Sequence, residues 1–139
     1  MEPLVSNLLL LAGLGQIGLA IGSAWIPKTL NWAEQLERLE PLTRQVFWTY
    51  AAYILVSHLC FGLLAIFGRD WMLDGSPLAA CVCGFIATWW LARLVLQFTA
   101  FDRSAAPDGL FFKLAEVALV GAFVFFAAVH VWAAWMNLN

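Results

Sequence analysis

The sequence predicts an all-α integral membrane protein, a four-helix bundle with a short amphipathic interfacial helix between the first and second spans. Of its 139 residues, 63% are hydrophobic and 12% are charged, whereas soluble domains average about 45–50% apolar and about a quarter charged residues. Four apolar runs account for most of the chain, and each has roughly the 20 residues that cross the hydrocarbon layer. Because the connections are short, we expect residues 1–139 to form a single transmembrane domain.

The first span is expected over about residues 4–26, since Pro27 follows the apolar run. The N-terminus lacks a positively charged region, so we interpret this run as a span and not as a cleaved leader. Gln16 is its one strongly polar side chain at mid-depth, explained either by an interhelical hydrogen bond or by a ligand. Glycines recur at spacings that let another helix approach closely. These are Gly15, Gly18 and Gly22.

Residues 31–40 predict the amphipathic helix in the membrane interface. Asn31, with Glu34 three residues later, is typical of a capping box. Trp32 is expected at headgroup depth. The acidic face argues against binding to anionic lipid and favours a helix that either covers the end of the bundle or docks a partner. The apolar face recurs at intervals of three residues. It consists of Leu30, Ala33, Leu36 and Leu39.

The second span is expected over about residues 43–67, with Pro41 in its first turn. A short loop over residues 68–75 follows. Ser76 and Pro77 then supply an N-cap and a first-turn proline for the third span. The polar side chains of the second span are Tyr53, Ser57 and His58.

The third span, about residues 77–101, carries Arg93 and Gln97 one helical turn apart. An arginine that faces lipid there costs about 2.5–17 kcal/mol, depending on the method, so Arg93 must face protein or water. Because antiparallel neighbours pair around their turn, Glu116 on the fourth span, about residues 110–136, lies within roughly one turn of Arg93. We predict a polar cluster that is either structural or a pocket for an anionic headgroup, a quinone or a carboxylate. Its members are Arg93, Gln97, Glu116, Lys113, Trp90 and Gln16.

His58 and His130 raise the question of haem b, because opposed histidines on neighbouring spans hold iron in membrane cytochromes. Counting residues outward from the turns between antiparallel helices places His58 and His130 at depths that differ by about 9 Å. We therefore interpret them as polar core or interface histidines, with a haem or quinone site as the alternative. Glu116, Phe123 and His130 repeat at intervals of seven residues and so share a helix face.

Three cysteines, Cys60, Cys81 and Cys83, lie inside apolar runs, which is typical of buried free cysteine. The spacing of Cys81 and Cys83 turns a helix by about 200°, which disfavours a shared metal. We find no phosphate loop, zinc signature or nucleophilic constellation, and predict neither catalytic residues nor metal ligands. The net charge of −2 and the lack of a basic run argue against nucleic acid as a partner.

Basic side chains are unequally divided between the two ends of the predicted spans. The first and third connections and their edges hold Lys28, Arg38, Arg44, Arg103 and Lys113. The second connection holds Arg69, and neither terminus is basic. The positive-inside rule then places the first and third connections in the cytoplasm and both termini outside. We expect the bacterial inner membrane.

Four stretches of the chain carry a family resemblance. They read Trp-Ala-Glu-Gln-Leu-Glu-Arg-Leu over residues 32–39, Arg-Gln-Val-Phe-Trp over 44–48, Arg-Leu-Val-Leu-Gln-Phe over 93–98 and Phe-Asp over 101–102. Together they resemble a group of small bacterial four-helix integral membrane proteins with no assigned activity, which implies an architecture and no mechanism. The chain is more distantly similar to the four-helix, haem-binding protoporphyrinogen oxidases, but it has Gln16 where those have a histidine in the first span.

These observations predict a non-catalytic protein, either an accessory subunit of a larger membrane complex or a self-associating bundle. Its expected partners are membrane lipid and other membrane subunits or copies of itself. The alternative is a haem- or quinone-linked redox protein, or another small-ligand-binding membrane protein, that uses the same polar pocket.

Overall fold

The computed structural model describes residues 2–100 and 109–139, which hold helices and no strand. This confirms the all-α class for these two ranges. The helices are α1 (Glu2–Thr29), α2 (Trp32–Leu36), α3 (Pro41–Phe67), α4 (Arg69–Met72), α5 (Pro77–Thr99) and α6 (Leu110–Leu138). Four of them, α1, α3, α5 and α6, are long and apolar enough to cross a membrane, consistent with an integral membrane protein.

Helix α1 continues through Pro27, so the predicted end at residue 26 is wrong. Proline lacks only its own N–H, and its fixed φ is compatible with a helix. The backbone after Pro27 remains bonded, since Leu30 N–H donates to the Ile26 carbonyl over 2.9 Å. A proline in the last turn therefore did not stop the helix before Thr29.

Helix α2 is shorter than the predicted 31–40, and the capping box is wrong. Asn31 has a left-handed backbone (φ 50°) and makes no side-chain cap; its amide instead donates to the Glu34 carboxylate. Glu40 is extended, with ψ 140°, because the residue before a proline avoids helical geometry. Pro41 thus separates α2 from α3.

The segment predicted as a loop over 68–75 contains the single turn of α4. The predicted N-cap of α5 is confirmed, since the Ser76 hydroxyl accepts from Ala79 N–H over 3.0 Å. Gly75 has φ 74°, a left-handed conformation that glycine adopts without steric cost. The chain can therefore reverse direction between α4 and α5 within a few residues.

Helix α5 packs along α6, α1 packs along α3, and α1 also contacts α6. Helices α1 and α3 approach each other closely at two glycines. A Cβ built on Gly13 would lie 2.8 Å from the Gly62 carbonyl oxygen, and one on Gly62 would lie 2.7 Å from Ile17 Cδ1. Larger side chains there would force the helices apart.

The glycine face predicted on α1 is only partly used in this packing. Gly15 faces the Phe126 ring, 2.8 Å from a built Cβ, whereas nothing lies within 4 Å of a Cβ on Gly18 or Gly22. Gly13, which is not part of that predicted face, lies against the backbone of α3. The buried apolar core includes Leu9, Cys83, Ile86, Trp90, Phe123 and Phe126.

The expectation of three buried cysteines is wrong for two of them. Cys60 and Cys81 are exposed on the protein surface, and Cys83 is buried. The Cys83 thiol donates to the Met72 carbonyl over 3.6 Å. An apolar run predicts membrane depth but does not decide which side of a helix faces protein. The predicted end of the third span at Phe101, the basic residue Arg103 and the turn at 107–108 lie outside the described residues.

Candidate functional site

Each of the four long helices buries a polar side chain in the protein core away from its ends. Gln16, Trp90 and His130 are 0% exposed and His58 is 4% exposed. We call these four residues the central polar site. Six of their polar atoms have no hydrogen-bond partner within residues 2–100 and 109–139. They are Gln16 Nε2 and Oε1, His58 Nδ1 and Nε2, Trp90 Nε1, and His130 Nε2.

The surrounding backbone offers the central polar site few partners, because the middle of a helix already uses its N–H and C=O groups in its own hydrogen bonds. The carbonyl of Phe126 contacts His130 Nδ1, but none of the six atoms above has a backbone partner among the described residues. A buried polar group without one costs about 1–3 kcal/mol. These four buried side chains are therefore the part of the core that most needs a functional or structural explanation.

Aromatic rings hold His58 in position. Its ring stacks on Trp90 with centroids 4.8 Å apart and meets the edge of Trp89 at 6.2 Å. The Trp90 ring also stacks on Phe123, with centroids 5.5 Å apart, and packs against Phe126, with centroids 4.9 Å apart. These contacts connect α3 to α6 through the tryptophan of α5.

His130 is oriented by its own helix. Its Nδ1 lies 2.7 Å from the Phe126 carbonyl oxygen. Because a carbonyl only accepts, Nδ1 carries the hydrogen in this contact, and in the neutral ring Nε2 is left as an acceptor. Metal-binding histidines are commonly oriented in this way by a second hydrogen bond. This geometry raises the question of whether His58 and His130 could ligate one haem iron.

The two histidines do not fit a haem that both would ligate. Ring contacts place His58 level with Trp89 and Trp90, and Trp90 contacts Phe123 and Phe126. His130 lies four residues beyond Phe126, which is about 6 Å along the helix axis. Axial ligands of one iron need to be nearly level. Across the described chain, no group of three or more His, Cys, Asp or Glu side chains is arranged to hold a metal ion.

The members of the predicted polar cluster differ in how deeply they are buried in the protein. Gln16 and Trp90 belong to the central polar site; Arg93, Gln97 and Glu116 are half-buried, and Lys113 is exposed. The Arg93 guanidinium carbon lies 5.2 Å from the Phe123 ring centroid, a distance at which a cation is attracted to an aromatic face. The Arg93–Glu116 pair itself stays a prediction.

Sequence reasoning missed Asn137, which ties the end of α6 to the segment before α5. Its Oδ1 accepts from Gly75 N–H over 2.9 Å. Its Nδ2 donates to the carbonyls of Met72 and Ala133, each over 2.8 Å. Asn137 continues the seven-residue repeat of Glu116, Phe123 and His130, and that continuation was the signal available in the sequence.

Asp74 stabilises the same segment on its exposed side. Its carboxylate accepts from Ser76 N–H over 2.8 Å. Hydrogen bonds from the Ser76 side chain and backbone hold the pKa of this carboxyl below its ordinary value, because they favour the charged form. The α4–α5 connection is therefore fixed by polar contacts from both Asn137 and Asp74.

Comparison with protein-family models, with characterised proteins and with solved structures finds no significant match.

Proposed function

We propose that this chain is a small polytopic protein of the bacterial inner membrane that works by association, as an accessory subunit or in copies of itself, and not as an enzyme. The observation that carries the proposal is the outward glycine pair of α1. Gly18 and Gly22 are exposed, and nothing lies within 4 Å of a Cβ built on either one. Glycines four residues apart let a second membrane helix approach closely.

The contrast with the other glycines supports this function. Gly13 and Gly62 have their space taken by neighbouring backbone and side chains, and Gly15 faces Phe126. Packing within the chain accounts for the glycines at these three positions. Gly18 and Gly22 gain no such contact, so a helix from another chain gives them the packing role that their spacing favours.

In this proposal the four long helices form one bundle, and α2 lies in the membrane interface. The packing of α5 on α6, α1 on α3 and α1 on α6 supports the bundle. Trp32 meets the edges of Phe47 at 5.0 Å and Trp48 at 6.0 Å, which supports the position of α2, because aromatic side chains collect at membrane interfaces.

The proposed orientation places both termini outside and the α1–α3 connection in the cytoplasm. A reporter that is active only in the cytoplasm, fused after Asn139, should be silent. The same reporter inserted in the exposed stretch between Glu37 and Glu40 should be active. The reverse result would overturn the orientation without affecting the proposed association.

A haem-linked function has less support, because His58 and His130 lie at different depths along their helices. The visible spectrum of the purified protein tests this directly. A Soret band with near-stoichiometric iron would favour the redox alternative over association as the principal function.

The association itself is tested by replacing both outward glycines, Gly18→Leu with Gly22→Leu. Gly121→Leu is the matched control, since Gly121 is exposed and its built Cβ also has nothing within 4 Å, but it lies on α6. We expect the wild type and the control to migrate as a larger species on native gels of mildly solubilised membranes. The double variant should migrate at the mass of the single chain. A wild-type protein that is monomeric, or a double variant that assembles like the control, would contradict the proposal.

A further inference from the structure

The two glycines that carry the proposed association belong to a longer outward face of α1. At about 100° per residue, this face is a stripe roughly 80° wide that runs along most of the helix. Its large apolar members are each more than half exposed, so no other part of the described chain covers them. The stripe, called the α1 stripe below, consists of Asn7, Leu11, Leu14, Gly18, Gly22 and Trp25.

Asn7 is the polar member of the α1 stripe. It is exposed, and its side chain makes no hydrogen bond to any described residue. An asparagine amide both donates and accepts, so the same amide on a second copy is a complete partner for it. Asparagine side chains hydrogen-bond across helices in membranes, and one asparagine in an apolar seam fixes how two helices pair.

The spacing along the α1 stripe determines the geometry of such a pair. Asn7 and Leu14 are seven residues apart, and Leu11, Gly18 and Trp25 follow one another at the same interval. A seven-residue repeat keeps one face toward its partner along the whole length of a left-handed helix pair. Copies that insert in one orientation have parallel α1 helices, and a twofold axis along the membrane normal then places each stripe residue opposite itself.

We propose that the partner of this chain is a second copy of itself, bound along the α1 stripe as a parallel, left-handed twofold pair in which the two Asn7 amides hydrogen-bond to each other. The inference rests on the proposed association through Gly18 and Gly22 and names its partner. Gly18, near the middle of the stripe, lets the two backbones approach. Asn7 sets the register, because a shift of seven residues would place each amide against Leu14 and leave it unpaired.

Disulfide cross-linking in membranes tests the pair, with full-length chains in which the two exposed cysteines are changed as Cys60→Ser and Cys81→Ser. Single cysteines are then introduced as Leu11→Cys, Trp25→Cys or Ala24→Cys. Ala24 is the matched control, since it is exposed next to Trp25 but points about 100° away from it around the helix. After mild oxidation we expect several-fold more covalent dimer at positions 11 and 25 than at position 24.

The other outcomes separate this inference from the proposed function. Cross-linking at position 25 without position 11 would indicate helices that cross at the glycines and diverge before Asn7, which overturns the inference. Cross-linking no stronger than at Ala24, with a larger native species that Gly18→Leu with Gly22→Leu still disrupts, would assign the association to a different subunit. That result overturns the self-pairing and leaves the proposed function standing. A monomeric wild type would overturn both.

The contribution of Asn7 is measured by the concentration dependence of dimerisation in mild detergent. Asn7→Leu should weaken the dimer roughly 3- to 20-fold, the range that one interhelical hydrogen bond in a membrane supplies. Gln45→Leu, at an exposed amide on α3, should leave dimerisation unchanged. Equal dimerisation of Asn7→Leu and the wild type would overturn the proposed amide pair. If the Asn7→Leu chain does not fold, the cross-linking of positions 11 and 25 still decides the question.

Discussion

Asn137 and Gln16 are both buried side-chain amides, and their surroundings differ completely. Asn137 makes three hydrogen bonds, to Gly75, Met72 and Ala133. Gln16 makes none among the described residues. The difference follows from the backbone around them. Near the α4–α5 connection the chain leaves helical geometry and offers unpaired N–H and C=O groups, whereas around Gln16 every neighbour is the middle of a long helix.

The position of a polar side chain along its helix decides which partners it can reach in this fold. At the end of the long helices it fixes a connection, and its partners are backbone. In the middle most backbone groups are already paired, so a polar side chain depends mainly on other side chains or on small molecules. Residues of the second kind are the candidates for function, because packing alone does not explain them.

The largest loss of unfolding free energy is expected for substitutions of Arg93 and Glu116, because a charged side chain inside a spanning helix depends on a side-chain partner. Breaking a buried pair costs about 3–5 kcal/mol, and because both residues are half-buried we expect about 3 kcal/mol for Arg93→Met or Glu116→Gln. The double variant should lose much less than either single variant, since no uncompensated charge remains. Thermal unfolding in detergent measures all three. Additive losses would mean that the two residues do not interact.

Asn137→Leu should have the next largest effect. It leaves Gly75 N–H and the Met72 carbonyl without partners, and we expect a loss of about 2–3 kcal/mol in unfolding free energy. Asn139→Leu is the control, because Asn139 is exposed and, among the described residues, its side chain donates to the carbonyl of Trp135 one turn earlier. Equal melting of the two variants would show that the α4–α5 connection does not depend on Asn137.

Gln16→Met makes a similar chemical change at mid-depth and should be far milder. No hydrogen bond within the described chain is lost, so we expect a change within about 1 kcal/mol. The measurement is the same detergent melting, run beside Asn137→Leu. A loss as large as that of Asn137→Leu would show that Gln16 has a strong protein partner and would remove the contrast between the two regions.

The smallest effect is expected for Asp74→Asn, and it should depend on pH. The hydrogen bonds from Ser76 lower the pKa of Asp74 in the folded state below its ordinary value of 3.8. The stabilisation is therefore fully present above that ordinary value and is lost as the pH falls through the lower, folded-state pKa. Melting of both proteins across the acidic range should show curves that differ at neutral pH and converge in acid. A difference that persists in acid would assign the effect to packing.

The residues of the central polar site could be named from the sequence, but their relationship could not. Polar residues are rare in an apolar run and therefore stand out, which is why Gln16, His58 and His130 were recognised. The counting that placed Arg93 near Glu116 used only neighbours joined by a short turn. The contact between His58 and Trp90 joins α3 and α5. The sequence of the connection between these helices does not specify the angle or the distance at which they pack.

By itself the sequence determined the helical class and the four long apolar helices, because apolar runs of this length need internal backbone hydrogen bonds and form helices. It also determined the boundary at Pro41 and the cap at Ser76, since both depend on neighbouring residues alone. Only the tertiary structure decided that Gly13 and not Gly18 meets another helix, that Cys60 and Cys81 face outward, and that Asn137 holds the α4–α5 connection. Each of these depends on the rotation of a helix about its axis. In a helix that is apolar all round, the sequence pattern leaves that rotation undetermined, and close packing between helices sets it.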